Sequence, residues 1–200
     1  MAKLAIVYYS AYGHTYELAR SLEQGAKSFG ADTRLRKVHE LVSDEVIAKQ
    51  KTWLDHRVAT REVPEATVED LAWADGFAFG TPTRFGGPAA QLKEFIDKTG
   101  ALWQKGGLAN KAVTSFSGSM NQHGGQETTI LALSNVFYHW GAIIVPLGYT
   151  DPIVSAAGGN PYGTSYTAND EPLPDAVLKA AFYQGTRLAR VADALRNLRA

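Results

Sequence analysis

Cysteine is absent from the 200 residues of this chain. That excludes disulfide staples, thiolate metal sites, thiol nucleophiles and dithiol redox chemistry together. Any redox activity must therefore come from a bound cofactor. Net charge is missing too: 20 Lys and Arg balance 20 Asp and Glu. A neutral chain has no electrostatic footprint for nucleic acid or a membrane surface. No apolar run approaches the roughly 20 residues of a membrane span. The start, MAKLAIVYYSAYGHT, has too short an apolar run for a signal peptide and no small-residue cleavage pattern, so a cytoplasmic location is expected. No HExxH pair or His/carboxylate cluster points to a metal.

What remains is an ordinary globular composition, 45% hydrophobic and 20% charged. The length suits one well-cored domain, 1–200, with excursions at about 40–66 and 150–174. LAIVYY (4–9) is a nearly continuous apolar run, as a strand buried on both faces requires. From Thr15 the period becomes helical, with Leu18, Ala19, Leu22, Ala26 and Phe29 on one face and Gly30 ending the pattern. Further strands are expected at 32–38, 76–80, 112–118 and 142–149, alternating with helices. The last helix steps through Ala181, Gly185, Leu188, Ala192 and Leu195; its Arg187, Arg190, Arg196 and Arg199 read as a solvated face. Five alternations predict an α/β fold, one parallel sheet with helices on both faces. Ligands in such sheets bind beyond the carboxyl ends of the strands, at the switch in strand order.

That rule selects three loops, 10–15, 81–88 and 117–125, which are also rich in Gly, Ser, Thr and aromatic residues. In the first, Ser10 and Thr15 offer hydroxyls, Gly13 relieves the turn, and a helix start supplies N–H donors for a phosphate. The alternative is that one hydroxyl caps the helix. Neither GxGxxG nor a glycine-rich loop followed by lysine occurs, which favours a mononucleotide over a dinucleotide or a triphosphate. Thr83, Arg84 and Phe85 offer a donor, a cation and an aromatic plane, or else form a rigid surface turn. His139 near a helix end could serve a site or pack in the core or an interface. Trp103 is either an edge-packing residue or a lid. His39 and His56 are expected at the surface.

The segments YYSAYGHT, FGTPTRFGGP, DKTGALWQKGGLANK, GGQETTI, HWGAIIVPLGY and NPYGTSY, in this order across nearly the whole chain, resemble the WrbA family of flavodoxin-like NAD(P)H:quinone oxidoreductases. The resemblance implies a flavodoxin-like, doubly wound five-stranded parallel sheet that binds FMN, with NADH or NADPH as co-substrate. It assigns Ser10, Ala11, Tyr12, Gly13, His14 and Thr15 to the FMN phosphate, and Thr83, Arg84 and Phe85 to the isoalloxazine ring. It assigns Gly118, Ser119, Met120, Asn121, Gln122, His123 and Gly124 to the third flavin loop. His139 would also lie at the flavin, and Tyr12 and Trp103 at the nicotinamide and quinone position. Similar members read STGT and glycines before GQE, whereas this chain reads SGSMNQHGGQE, which turns the expectation there toward backbone contacts. A homotetramer, with the 150–174 excursion taking part, is implied as well.

The activity so implied is a ping-pong, two-electron reduction of a quinone, with the chemistry carried by FMN and no side chain acting as nucleophile. The competing class is a flavodoxin-type one-electron carrier between protein partners. Such carriers use an acidic face to meet basic partners, and the zero net charge argues against that.

Overall fold

The computed structural model describes residues 1–168 and 172–198. Part of the 150–174 excursion and Arg199 of the arginine run lie outside the described residues. The chain opens with β1 (Lys3–Tyr8), α1 (His14–Ser28) and β2 (Asp32–Lys37). Three short helices follow, α2 (Asp44–Ile47), α3 (Lys51–Ala59) and α4 (Val68–Trp73), then β3 (Gly76–Arg84) and β4 (Gly87–Pro88). After α5 (Ala90–Asp97) and α6 (Gly100–Gln104) come β5 (Ala112–Ser119), α7 (Gln126–Trp140) and β6 (Ile143–Ile144). The chain then forms α8 (Pro152–Ala156), β7 (Ser165–Thr167) and the long α9 (Asp175–Leu195).

The sheet runs β2-β1-β3-β5-β6, every neighbouring pair parallel. This is the flavodoxin-like strand order, with its switch point between β1 and β3. Strand β1 shows why its apolar run is continuous. Leu4, Ile6 and Tyr8 enter the core under α1 and α9, while Ala5, Val7 and Tyr9 enter the core on the other face with Phe77, Phe79 and Phe137. Each fully buried leucine of α1, Leu18 and Leu22, contributes roughly 1.5–3 kcal/mol.

Four expectations are corrected. Loop 81–88 is a continuation of β3 that folds back onto β4, pairing Thr83 with Pro88 and Arg84 with Gly87. Its two-residue turn places Phe85 at φ 52° and Gly86 at φ 80°, as a primed hairpin turn demands. The 40–66 excursion contains α2 and α3. The last main strand is only Ile143–Ile144, with one further bond to β5 from Val145 N–H to the Val113 carbonyl (2.7 Å). Finally, the 150–174 stretch supplies β7, which pairs parallel with the end of β5. On α9, Arg187 donates to the Pro146 carbonyl (3.0 Å) and Arg190 lies over the Phe29 ring; Arg196, just past its end, pairs with Asp193 (3.4 Å).

Helices α1 and α9 touch backbone to backbone. A side chain at Gly185 would lie 1.9 Å from the Leu22 carbonyl oxygen, and one at Gly25 would lie 1.8 Å from that of Phe182. Ala189, Leu188 and Ala192 close the seam, which sets the height of α1 against the sheet. Replacing Gly185 with alanine forces the helices apart, and urea unfolding is expected to show a loss of about 1–3 kcal/mol, the range for overpacking.

Candidate active site

A cavity of about 580 Å³ opens at the carboxyl edge of the sheet. Its walls come from all three loops expected to meet there: Ser10, Ala11, Tyr12, His14 and Thr15; Thr83, Arg84 and Phe85; and Gly118, Ser119, Met120, Asn121 and Gly124. Among the described residues, Arg84 is the one Lys or Arg in its lining, and none of them places a carboxylate there.

The first loop begins where Tyr9 N–H bonds the Gly80 carbonyl (2.9 Å), the last ladder-like contact of β1. Gly13 is the N-cap of α1 at φ 107°, a backbone conformation that a side chain would strain, and no side chain caps the helix. Ser10 Oγ instead accepts from Gly13 N–H (3.1 Å). The Thr15 hydroxyl is buried against the Tyr166 hydroxyl (3.0 Å). Neither hydroxyl therefore does the capping that the alternative reading required. The first N–H groups of a helix lack intrahelical partners, and here they sit uncapped at the cavity under the positive end of the helix dipole.

Hydroxyl protons can be followed from these bonds. Ser10 accepts, so its own proton remains to donate. Thr83 accepts from Thr129 (2.8 Å), so its proton is also available. In the Thr15–Tyr166 pair one hydroxyl donates to the other, leaving one proton over. Ser119 differs: it donates to the Asn121 carbonyl within its own loop. Gln126, buried at the start of α7, organises that loop by accepting from Gly124 N–H (3.1 Å) and donating to the Asn121 carbonyl (2.9 Å).

Tyr166 and Gln126 were not singled out from the sequence. Tyr166 stands on β7 with its ring over Gly118, where a side chain would collide with it at 2.1 Å. Burial pushes its phenol up to about 12, so it remains protonated. Its signal was NPYGTSY, a segment whose strand is too short to declare itself by period.

Helix α3 backs the first loop. The Tyr12 hydroxyl donates to Gln50 Oε1 (2.7 Å) and its ring meets Trp53 edge-on at 5.8 Å. His56, expected at the surface, is half-buried against Tyr16 (5.6 Å). Burial, together with the nearby charges of Lys37 and His14, lowers the His56 imidazole to about 4. A smaller pocket of about 150 Å³ lies here, lined by Tyr8, Lys37 and His56 among others.

Several expected residues lie outside the cavity of the same chain. Gly13 shapes the loop without lining it, and Gln122 and His123 are exposed at the tip of the third loop. His139 stands near the far end of α7, about 20 Å along the helix from Gln126 at 1.5 Å per residue. Trp103 keeps it company there, its indole N–H donating to the His139 carbonyl (2.8 Å). The structure thus brings these two together, on a half-open surface between α6 and α7, and not to the cavity.

Together, the strand order and an uncapped helix start at its switch point define a flavodoxin-like mononucleotide-binding protein. The chain belongs to the NADPH-dependent FMN reductase family, whose model matches residues 3–151. It is 46% identical over 171 residues to the NAD(P)H dehydrogenase (quinone) of Deinococcus radiodurans, covering 86% of each chain. It is 43% identical to the NAD(P)H dehydrogenase (quinone) of Sinorhizobium fredii, covering 98% of this chain and 99% of that one. Among solved structures, a flavodoxin, WrbA-like protein from Agrobacterium tumefaciens superposes with a TM-score of 0.71 at 24% identity, over 98% of this chain and 100% of that one; this likeness speaks to fold.

The His56 environment has a pH consequence. Its pKa lies below that of an unfolded histidine, so the unfolded chain takes up a proton first as pH falls. The histidine's contribution is complete above about 6.5 and is lost between there and about 4. Urea midpoints measured across that window should fall with pH, and the fall should be shallower in His56→Phe.

Proposed function

We propose that this protein is an FMN-dependent NAD(P)H:quinone oxidoreductase, and that the residues lining the 580 Å³ cavity hold its flavin. The observation that carries the site assignment is the uncapped α1 N-terminus: a row of N–H donors, with the Ser10 hydroxyl proton free beside it and no carboxylate among the described lining residues. Such a donor set fits a phosphate monoester, which is stabilised by hydrogen bonds and the helix dipole without a lysine. Held there, FMN would supply the redox chemistry between NAD(P)H and the quinone.

The chain's own residues bind and orient. Ser10 and the start of α1 anchor the phosphate; Thr83 Oγ1 and the Arg84 guanidinium offer donors on the opposite wall. Tyr12, Phe85 and Met120 surround the opening with nonpolar surface, on which a planar nicotinamide or quinone can stack. Nothing in this arrangement needs a side chain to act as nucleophile. One slot serving two planar substrates in succession gives the ping-pong order.

Trp103 and His139 enter this reading through assembly. On our reading the protein is a homotetramer, in which the Trp103–His139 surface of one chain closes on the cavity of another. Sedimentation equilibrium is expected to give four times the 21.7 kDa chain mass. A monomer would remove these two residues from the site.

The functional test is reconstitution with FMN followed by NADH and NADPH oxidation with and without benzoquinone. Quinone-dependent turnover is expected. A stable one-electron flavin state with no such turnover would favour the carrier instead. Ser10→Ala should weaken FMN binding by about 1.5–3 kcal/mol, the worth of a hydrogen bond to a charged acceptor, read by flavin fluorescence titration. Unchanged affinity would sink the phosphate-loop assignment.

A further inference from the structure

The segment between β2 and α4 reaches this site through Tyr12. Three nonpolar side chains stand at the cavity opening, and they are not equally held. Phe85 is fully exposed at the hairpin tip, and Met120 is 80% exposed on the third loop. Tyr12 is 45% exposed, yet both its hydroxyl and its ring are engaged, by Gln50 and Trp53.

Those partners lie on one side of α3. Gln50, Trp53 and His56 follow at intervals of three, so they share a face. Gln50 and Trp53 meet Tyr12, and His56 meets Tyr16 and lies behind Gly13, where a Cβ would stand 3.6 Å from its Nδ1. The opposite side, Lys51, Leu54, Asp55 and Val58, is exposed. Trp53 is the one buried residue of α3, so the helix has little core of its own to serve.

Gln50 is informative in another way. It is the N-cap residue of α3, where Ser, Thr, Asp or Asn would satisfy the helix start, and its side chain makes no capping bond. Its amide oxygen is given to Tyr12 instead.

We propose that α3 is a brace for the substrate wall: Gln50 and Trp53 are positioning residues that hold the Tyr12 ring in one orientation at the cavity, and so set the recognition of planar substrates. The consequence for substrates rests on the functional reading above; the brace itself rests on the contacts. Without it, a tyrosine on a loop whose residues 9–13 belong to no helix or strand would sample several rotamers. A planar substrate would then have to order the ring on binding, which weakens binding without slowing the electron transfer that follows.

The test compares Gln50→Leu, which removes the acceptor at similar volume, with Gln50→Glu, which keeps an acceptor. Gln50 is exposed, so neither change threatens folding. In FMN-free protein, amide hydrogen exchange over residues 11–14 is expected to be faster in Gln50→Leu and close to wild type in Gln50→Glu. In the reconstituted enzyme, Gln50→Leu should raise the KM for quinone by about 2- to 12-fold, the worth of one neutral hydrogen bond, with kcat nearly unchanged. Tyr12→Phe should give the same rise, and the double variant no more than either single change. Wild-type exchange and wild-type KM in Gln50→Leu would overturn the brace, as would additive effects in the double variant. Failure of the wild-type enzyme to turn over quinone would instead overturn the functional reading, and the exchange comparison would still decide the brace.

Discussion

The unsatisfied N-terminus of α1 is the constraint on which the site depends. A helix start leaves N–H groups that must find acceptors, and most proteins close the matter locally with a Ser, Thr, Asp or Asn side chain. Here the two nearby hydroxyls are committed elsewhere, Ser10 to Gly13 and Thr15 to Tyr166. The helix is nevertheless well anchored, through its apolar face on β1 and through the seam with α9. Stability comes from the far side of the helix, and that leaves its open end available for an anionic ligand.

The other features follow from keeping that end exposed and in register. Tyr166 reaches from β7 to Thr15, joining the first loop to the end of β5. Thr129 on α7 reaches to Thr83 on β3, joining the second and third walls. Gln126 ties the third loop down from within. Each wall is therefore hydrogen-bonded to an element of regular structure.

Much of this could be read directly from the residues. The buried strand at 4–9, the helix after it and the three loops that meet at the cavity have local signals: a continuous apolar run, a change of period, and hydroxyl or glycine clusters. What escaped was decided by tertiary contact. KTWLDHRVA carries no apolar stripe, so α3 looked like part of a variable excursion. β7 is three residues long and exists because it pairs with β5. TPTRFGGP looked like a loop because its Pro and Gly are also what a tight hairpin uses. Spacing could not decide between roles for Trp103 and His139, since their meeting depends on how α6 and α7 pack.

At the hairpin tip, Phe85 combines a left-handed backbone with an aromatic ring wholly in water. Each state is unfavourable alone, by strain in one case and by hydration in the other. The backbone strain is permanent, built into the turn, but the hydration cost disappears whenever a flat surface covers the ring. The tip thus behaves as a preset adhesive point whose stiffness keeps it from collapsing onto its own chain.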